Sequence, residues 1–283
     1  MMFKALLLQS CYKLSDRVLE KQLARDLLFR RFAGLDIPET APDHATFWRF
    51  RQTLKKLNLM EVLLNEIKHQ LSDQGQYIKS GGVSIIDASV IEAKNCRPNK
   101  NKQGDSTQDI EANWNVKVGP DGKRKSTDGY KAHMNVGEDG LIKATDYTAG
   151  NVHDSNCFTD LLSGDETSVY ADSTYQSQDY GTWLAERHIG NKIIPRGTFS
   201  GYAIHLVKRA CRNKQLNKEA KQFSRVYSGV RCVVEHVFGV LKLHYGMSKG
   251  RYLDLNRNRT RFELMCVAHN LKRGLSIQQA SCV

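Results

Sequence analysis

The sequence predicts an α/β protein, a mixed sheet flanked by helices and preceded by a small all-helical layer. Three observations predict it. Through about residue 75 the apolar residues recur at helical spacing, and after Gly81-Gly82 the period shortens to that of strands. Two short apolar runs, Val83 to Ile86 and Ser168 to Ala171, each stop at an aspartate, Asp87 and Asp172. The order that follows the first run is hairpin, helix, strand, helix, strand and more helices, the pattern of a sheet with helices packed on it.

Taken in order, Phe3, Leu6, Leu7 and Tyr12, then Val18, Leu19, Leu23, Leu27 and Leu28, mark helical stretches, with Ser15 as an N-cap. Pro38 and Pro42 interrupt the pattern before a third helix, Asp43 to Leu54. A fourth, Leu59 to Leu71, closes at Asp73-Gln74-Gly75. Arg30, Arg31, Arg49 and Arg51 make this layer a candidate for DNA binding; a cap that merely packs on the next domain accounts for it equally.

Val83 to Asp87 reads as a buried strand ending at the aspartate. Glu92 to Ser126 is polar and reads as a long connection whose one large apolar anchor is Trp114. Tyr130 to Val136 and Leu141 to Tyr147 form a hairpin around Glu138-Asp139-Gly140. Asp154 or Ser155 caps a helix through Leu162. A second buried strand ends at Asp172. A helix from Gln178 to His188, a strand from Lys192 to Pro195 and a basic, mostly helical region to Leu275 complete the pattern. The domain boundaries are 1–78, helical, 79–275, sheet-containing, and 276–283, a tail without signal.

Composition narrows the partners. The chain has 283 residues, 40% hydrophobic and 25% charged, ordinary values for a water-soluble protein. No run of 18 apolar residues occurs, and the apolar start MMFKALLLQSCYKLSD is too short for a membrane span and poor as a secretion signal, so a cytoplasmic protein is expected. Its seven cysteines are scattered and form no C-x-x-C pair, which argues against zinc and disulfides. The net charge of +12 is uneven: Asn191 to Leu275 holds 18 Lys/Arg against four Asp/Glu, a local +14. Such a region points to a polyanion, most often nucleic acid.

The stretch Tyr227 to Gly250 organises the candidate chemistry. On a helical wheel Arg231, Glu235 and Lys242 fall within about 40° of one another. Val230, Val233, Val234, Val237, Phe238 and Leu241 occupy the other side. Glu235 is the only acid between Glu219 and Asp254. With Asp87 and Asp172 it makes a set of hard carboxylate ligands suited to Mg²⁺, and two such ions can activate an attacking oxygen and stabilise a leaving one in phosphoryl transfer. Plainer readings exist for each residue. A strand-end aspartate often caps a turn, Glu235 and Arg231 can be an i,i+4 ion pair, and His153 beside Asp154 can be a loop pair.

Five phrases carry a resemblance beyond that triplet. They are Ile85-Ile86-Asp87-Ala88-Ser89-Val90-Ile91-Glu92-Ala93, Gly129-Tyr130-Lys131-Ala132-His133, Thr148-Ala149-Gly150-Asn151-Val152-His153-Asp154-Ser155, Ala171-Asp172-Ser173-Thr174-Tyr175, and the run from Arg231 to Lys242. They resemble the DDE transposases of bacterial insertion sequences, and among those the insertion-sequence-five group of the insertion-sequence-four-like superfamily. Residues 27–51 resemble that group's helical N-terminal domain.

The resemblance implies an RNase H-like catalytic domain in which Asp87, Asp172 and Glu235 bind two Mg²⁺ ions, with Mn²⁺ as a substitute. Arg231, Glu235 and Lys242 match the R, E and K of a Y-R-E-K signature. Tyr227 departs from it, with three residues before Arg231 in place of two. Arg231, Lys242, Lys131 and Arg251 are then DNA contacts, and His153 and Asp154 support the metal ligands from behind. The implied activity is cleavage at the terminal inverted repeats of an insertion sequence and joining of the 3′-OH to target DNA, by a homodimer at the nucleoid. The start falls inside what resembles the first helices of the N-terminal domain, so a truncated copy is expected. An inactive remnant that only binds DNA, and a nuclease that cuts without joining, are the alternatives.

Overall fold

The computed structural model describes residues 1–57, 59–73, 82–95, 101–103, 108–119, 121–194 and 218–281. The turn at Gln74-Gly75, Gly81, Pro195 and the basic residues 196–217 lie outside them. The chain divides into two units: one of residues 1–77, 91–113 and 240–283, the other of residues 78–90 and 114–239.

In the first unit helices α2, α3 and α4, though not α1, begin where short polar side chains hold free N–H groups. Helix α1 spans Met2–Cys11 and α2 spans Asp16–Arg25. Ser15 caps α2 by accepting from the Val18 N–H at 3.2 Å. Asp26 then ends α2 and caps α3, Leu27–Ala33, accepting from Leu28 and Phe29. The stretch read as one helix is therefore two. Asp43 caps α4, His44–Lys56, and α5 follows at Leu59–Asp73. The last helix, α8, Leu255–Ser281, packs on α1, α4 and α5. It continues six residues past Leu275, because neither glycine nor proline follows Gly274 to stop it. Two of the four arginines offered for DNA are interior: Arg30 is buried and donates to the carbonyls of Leu23, Ile37 and Glu39, and Arg51 is buried against Asp16. Arg31 and Arg49 are exposed.

The second unit is built on one sheet. Its strands are β1 Val83–Glu92, β2 Asn113–Val118, β3 Arg124–Val136, β4 Ile142–Ala149, β5 Ser168–Ala171 and β6 Gly190–Ile193. Strand order is β2-β3-β1-β5-β6, with β4 also paired to β3. The β3/β4 pair is antiparallel and the β1/β5 and β5/β6 pairs are parallel, which makes the sheet mixed and its β4-β3-β1-β5-β6 order RNase H-like.

Three expectations are corrected here. Strand β1 does not end at Asp87 but runs on to Glu92, since Val90 and Ile91 keep it strand-forming; what ends near Asp87 is its pairing with β5, whose last partners are Ile86 and Ala171. The polar connection contains β2 and the start of β3, for Trp114, Val116 and Val118 alternate with polar residues. The helix expected through Leu162 is two 3₁₀ turns, Asp154–Cys157 and Thr159–Leu161, the first capped by His153.

Between the strands, α6, Gln178–Glu186, packs on β6. The next helix is α7, Lys218–His244. One face of the sheet gathers Ile86, Val169, Ala171 and Ile193 with Phe158, Leu161, Tyr175 and Leu184 into a buried cluster. Successive strand residues point to opposite faces, so Tyr170 faces away from that cluster, and there its ring meets Tyr227 of α7, centroids 5.3 Å apart. Val234, Val237 and Phe238 of α7 are buried, as the wheel predicts. The sheet is thus covered on both faces.

Phe158, fully buried and stacked 4.6 Å from Tyr180, is expected to cost about 3–5 kcal/mol of unfolding free energy as Phe158→Ala in a denaturant titration. Exposed Val118 as Val118→Ala is expected to change it by less than about 0.5 kcal/mol.

Candidate active site

Strand alternation decides where the two aspartates point. Ile85 pairs with Tyr170, and Asp87 and Asp172 lie two residues beyond each, so both share the face of Tyr170 and α7. Asp172 keeps an extended backbone, φ −72° and ψ 165°, which preserves this alternation past the end of β5. The two carboxylates therefore lie on neighbouring parallel strands, at the carboxyl end of their paired stretch, where open sheets place ligands.

Helix α7 meets them with one stripe. Tyr227, Arg231 and Glu235 are four residues apart and fall on one side of the helix. A guanidinium nitrogen of Arg231 stands 3.7 Å from Asp87 Oδ2 and 3.8 Å from Glu235 Oε1. Both distances are too long for hydrogen bonds, so the guanidinium offsets the two carboxylates by charge alone. Its Nε has no hydrogen-bond partner among the described residues. Exposure grades along the stripe: Tyr227 is buried, the Arg231 side chain 17% exposed and that of Glu235 59%.

Burial pushes the Asp87 carboxyl up to about 6, reinforced by Asp172 and Glu235 and opposed by the Ala88 N–H and Arg231. The Ala88 N–H donates to Asp87 Oδ1 at 2.9 Å, and the Ser173 N–H donates to Asp172 Oδ1. Asp172 thus also caps the 3₁₀ turn Ser173–Tyr175. The donor set, oxygen-only and mutually repelling, has the chemistry a hard divalent cation needs. Among the described residues no three His, Cys, Asp or Glu side chains stand grouped as a ready metal cage; Arg231 lies between Asp87 and Glu235.

Tyr227 has a place that its irregular spacing did not disclose. Its hydroxyl donates to the Ala171 carbonyl at 2.9 Å and lies against the Lys192 carbonyl, joining the ends of β5 and β6 immediately before Asp172. Burial drives its pKa above that of a free tyrosine, which keeps it a donor. The signal was its i,i+4 step to Arg231.

Other expected site residues are placed elsewhere. Lys131 is buried, its ammonium 2.7 Å from Asp154 Oδ1 and donating to the Val152 carbonyl at 2.7 Å, so its charge is committed inside the protein and not offered to DNA. Asp154 belongs to a buried polar layer with His133, whose Nε2 lies 2.9 Å from Thr148 Oγ1, and with the Tyr175 hydroxyl. Tyr175 is pushed up by burial and by Asp154, Asp87 and Asp172, and its hydroxyl has no partner among the described residues. His153 is exposed and holds the 3₁₀ turn through Ser155. Lys242, on the same helix, and Arg251 belong to the first unit. Arg251 donates to the Leu14 carbonyl at 2.8 Å.

Asp87 gives a stability prediction. Its folded pKa lies above the ordinary 3.8, so its contribution is fully present below about pH 3.8 and is lost as pH rises through about 6. Asp87→Asn is therefore expected to raise stability at pH 7–8 by on the order of 2 kcal/mol and to change it little near pH 3.5, read by denaturant titration at both pH values. Tyr227→Phe is expected to cost about 1–2 kcal/mol by leaving the strand-end carbonyls without their donor, read in the same way.

Comparison with known proteins shows the family. Residues 79–271 match the family described as Transposase DDE domain, and residues 1–53 match one described as a transposase domain. Among solved structures the chain resembles the piggyBac transposase, determined in a synaptic complex with hairpin DNA, at 11% identity, with a TM-score of 0.43 over 95% of this chain. The chain spans 65% of the length of that one. With the DDE match extending over more than half of its length, this chain belongs to the DDE-domain transposase family.

Proposed function

We propose that the protein is a DNA transposase of the insertion-sequence-five group, cutting DNA at the ends of an insertion sequence and joining the freed 3′-OH to target DNA. The observation that carries the reading is the pair Asp87 and Asp172 on adjacent parallel strands, facing Arg231 and Glu235 on α7. The family works with divalent metal ions. Asp87, Asp172 and Glu235 would hold them, and bound Mg²⁺ or Mn²⁺ would make water a better nucleophile and draw charge off the scissile phosphate.

The chain's own groups do the rest. In the first step water attacks a phosphodiester and the 3′ oxygen leaves; in the second that 3′-OH attacks a target phosphodiester and displaces its 3′ oxygen. Arg231 is the group placed to take phosphate oxygens, since its contacts to Asp87 and Glu235 leave donors unspent. Tyr227 fixes the strand ends that carry Asp172. The exposed carboxylate of Glu235 is the ligand that can shift as substrate arrives. Lys242 and Arg251 are assigned phosphate contacts in the first unit, and a homodimer would hold two DNA ends together.

Incubation of the full chain with inverted-repeat duplex is expected to give Mg²⁺- or Mn²⁺-dependent nicks and strand-transfer products. Asp87→Ala, Asp172→Ala and Glu235→Ala are each expected to lower both by a hundredfold or more, about 2.7 kcal/mol of activation free energy. Undiminished cleavage in the two aspartate variants would overturn the assignment. Binding without any nick in the wild type would leave a DNA-binding protein only, and nicks without joining a nuclease.

A further inference from the structure

Beside the stripe of Tyr227, Arg231 and Glu235, helix α7 turns another face to solvent. At about 100° per residue, Gly229, Cys232, His236 and Gly239 fall within about 80° of one another, and the middle of that face lies about 120° from Arg231. All four belong to the second unit. Cys232 is exposed with a free thiol, His236 and Gly229 are exposed, and Gly239 is half-buried. A Cβ at either glycine would meet no atom within 4 Å. Alanine would fit at both positions, and each glycine costs the helix about 1 kcal/mol against it. The chain's own packing gives no reason for that cost.

Cys232 and His236 form an i,i+4 pair, with Cβ atoms about 5–6 Å apart on one side of the helix. Two side chains of one helix bind a single zinc ion at that spacing. A thiolate and an imidazole favour Zn²⁺ and similar transition ions, where the carboxylates of the candidate active site favour Mg²⁺. Two ligands are half of a tetrahedral set. The sequence around them is symmetric: Cys232 and His236 lie two residues before and after Val234, and Gly229 and Gly239 lie five before and after it. A two-fold axis at the level of Val234, perpendicular to α7, therefore sets Cys232 opposite the partner's His236 and Gly229 opposite the partner's Gly239. Each contact is then made twice, as an isologous interface requires. Facing glycines let the two backbones come close, so that side chains as short as cysteine and histidine reach one ion.

We propose that this face of α7 is a half-site for Zn²⁺ or a similar transition-metal ion, completed by a second copy of the chain. Cys232 and His236 of two antiparallel α7 helices make the Cys₂His₂ set. The occupant is a second copy because the ligands and the glycines share one centre of symmetry, which an unrelated helix would not need. The site is distinct from Asp87, Asp172 and Glu235, and it does not rest on the transposase reading.

The test uses the full chain without DNA. Chelator-treated protein is titrated with Zn²⁺ while self-association is followed by sedimentation. The expected result is one bound ion for every two chains and an association tightened about tenfold or more, reversed by chelator. Co²⁺ in place of Zn²⁺ is expected to show the thiolate charge-transfer and d–d bands of a tetrahedral site. Cys232→Ser and His236→Ala are each expected to abolish both effects while the metal-free protein melts as the wild type does, since both side chains are exposed. Gly229→Leu, placed where a side chain has open space, is expected to keep the fold and to loosen the metal-dependent association by bulk alone. Self-association that ignores Zn²⁺, or one ion bound per chain without tightening, overturns the shared site. So does a Zn²⁺ effect that survives in both the Cys232→Ser and His236→Ala variants.

Discussion

The register of one parallel strand pair governs the candidate active site. Because Ile86 pairs with Ala171, the next residue on each strand is an aspartate, and alternation turns both to the face covered by α7. A slip by one residue on either strand would send one carboxylate into the cluster of Phe158, Leu161 and Tyr175. The register is strongly specified, since Ser84, Ile85 and Ile86 are fully buried and Ile85 and Ile86 fill opposite faces. The edge of the core thus holds two carboxylates side by side. The upward shift of Asp87 comes chiefly from its burial, with Asp172 and Glu235 adding to it.

Helix α7 answers the strand pair with three residues of graded burial. Tyr227 is committed to the Ala171 and Lys192 carbonyls and cannot move without releasing the strand ends. Arg231, one turn on, is held by charge at distances that make no hydrogen bond, and Glu235, a further turn on, is largely in solvent. Rigidity therefore falls from the buried end of the stripe to the exposed end. Such a gradient suits a site whose framework must be fixed while its outermost ligand and its phosphate contact adapt to a long, moving substrate.

Much of this was legible in the sequence where one local rule governs. Ser15 caps a helix by a short side-chain bond, Gly140 at φ 80° closes the β3/β4 turn, and the buried stripe of α7 follows its wheel. Legibility fails where a neighbour decides. Asp87 read as a strand end because an isolated carboxylate in an apolar run looks like a stop, yet β1 continues while its partner β5 departs. Strand β2 hid in a polar stretch because only one side of it alternates apolar residues, and these are exposed. Lys131, Arg30 and Arg51 read as surface cations; Lys131 and Arg51 are buried on Val152, Asp154 and Asp16 from distant segments, and Arg30 on the carbonyls of the turns that flank its own helix. Tyr227 lost its place to a signature spacing, although its i,i+4 step to Arg231 put it on the right face.

The charges that face one another around the strand ends support the metal reading from another direction. Asp87, Asp172, Glu235 and, beneath them, Asp154 are four carboxylates; Arg231 and Lys131 are the cations set against them. His133 adds none, since burial pulls its pKa down and favours the neutral ring. With these carboxylates ionised, negative charge exceeds positive around the strand ends, and Asp146, which also acts on His133, adds to the excess. An imbalance of that sign in a partly buried site is costly unless a cation enters, which is why the arrangement suits a divalent ion rather than a neutral ligand.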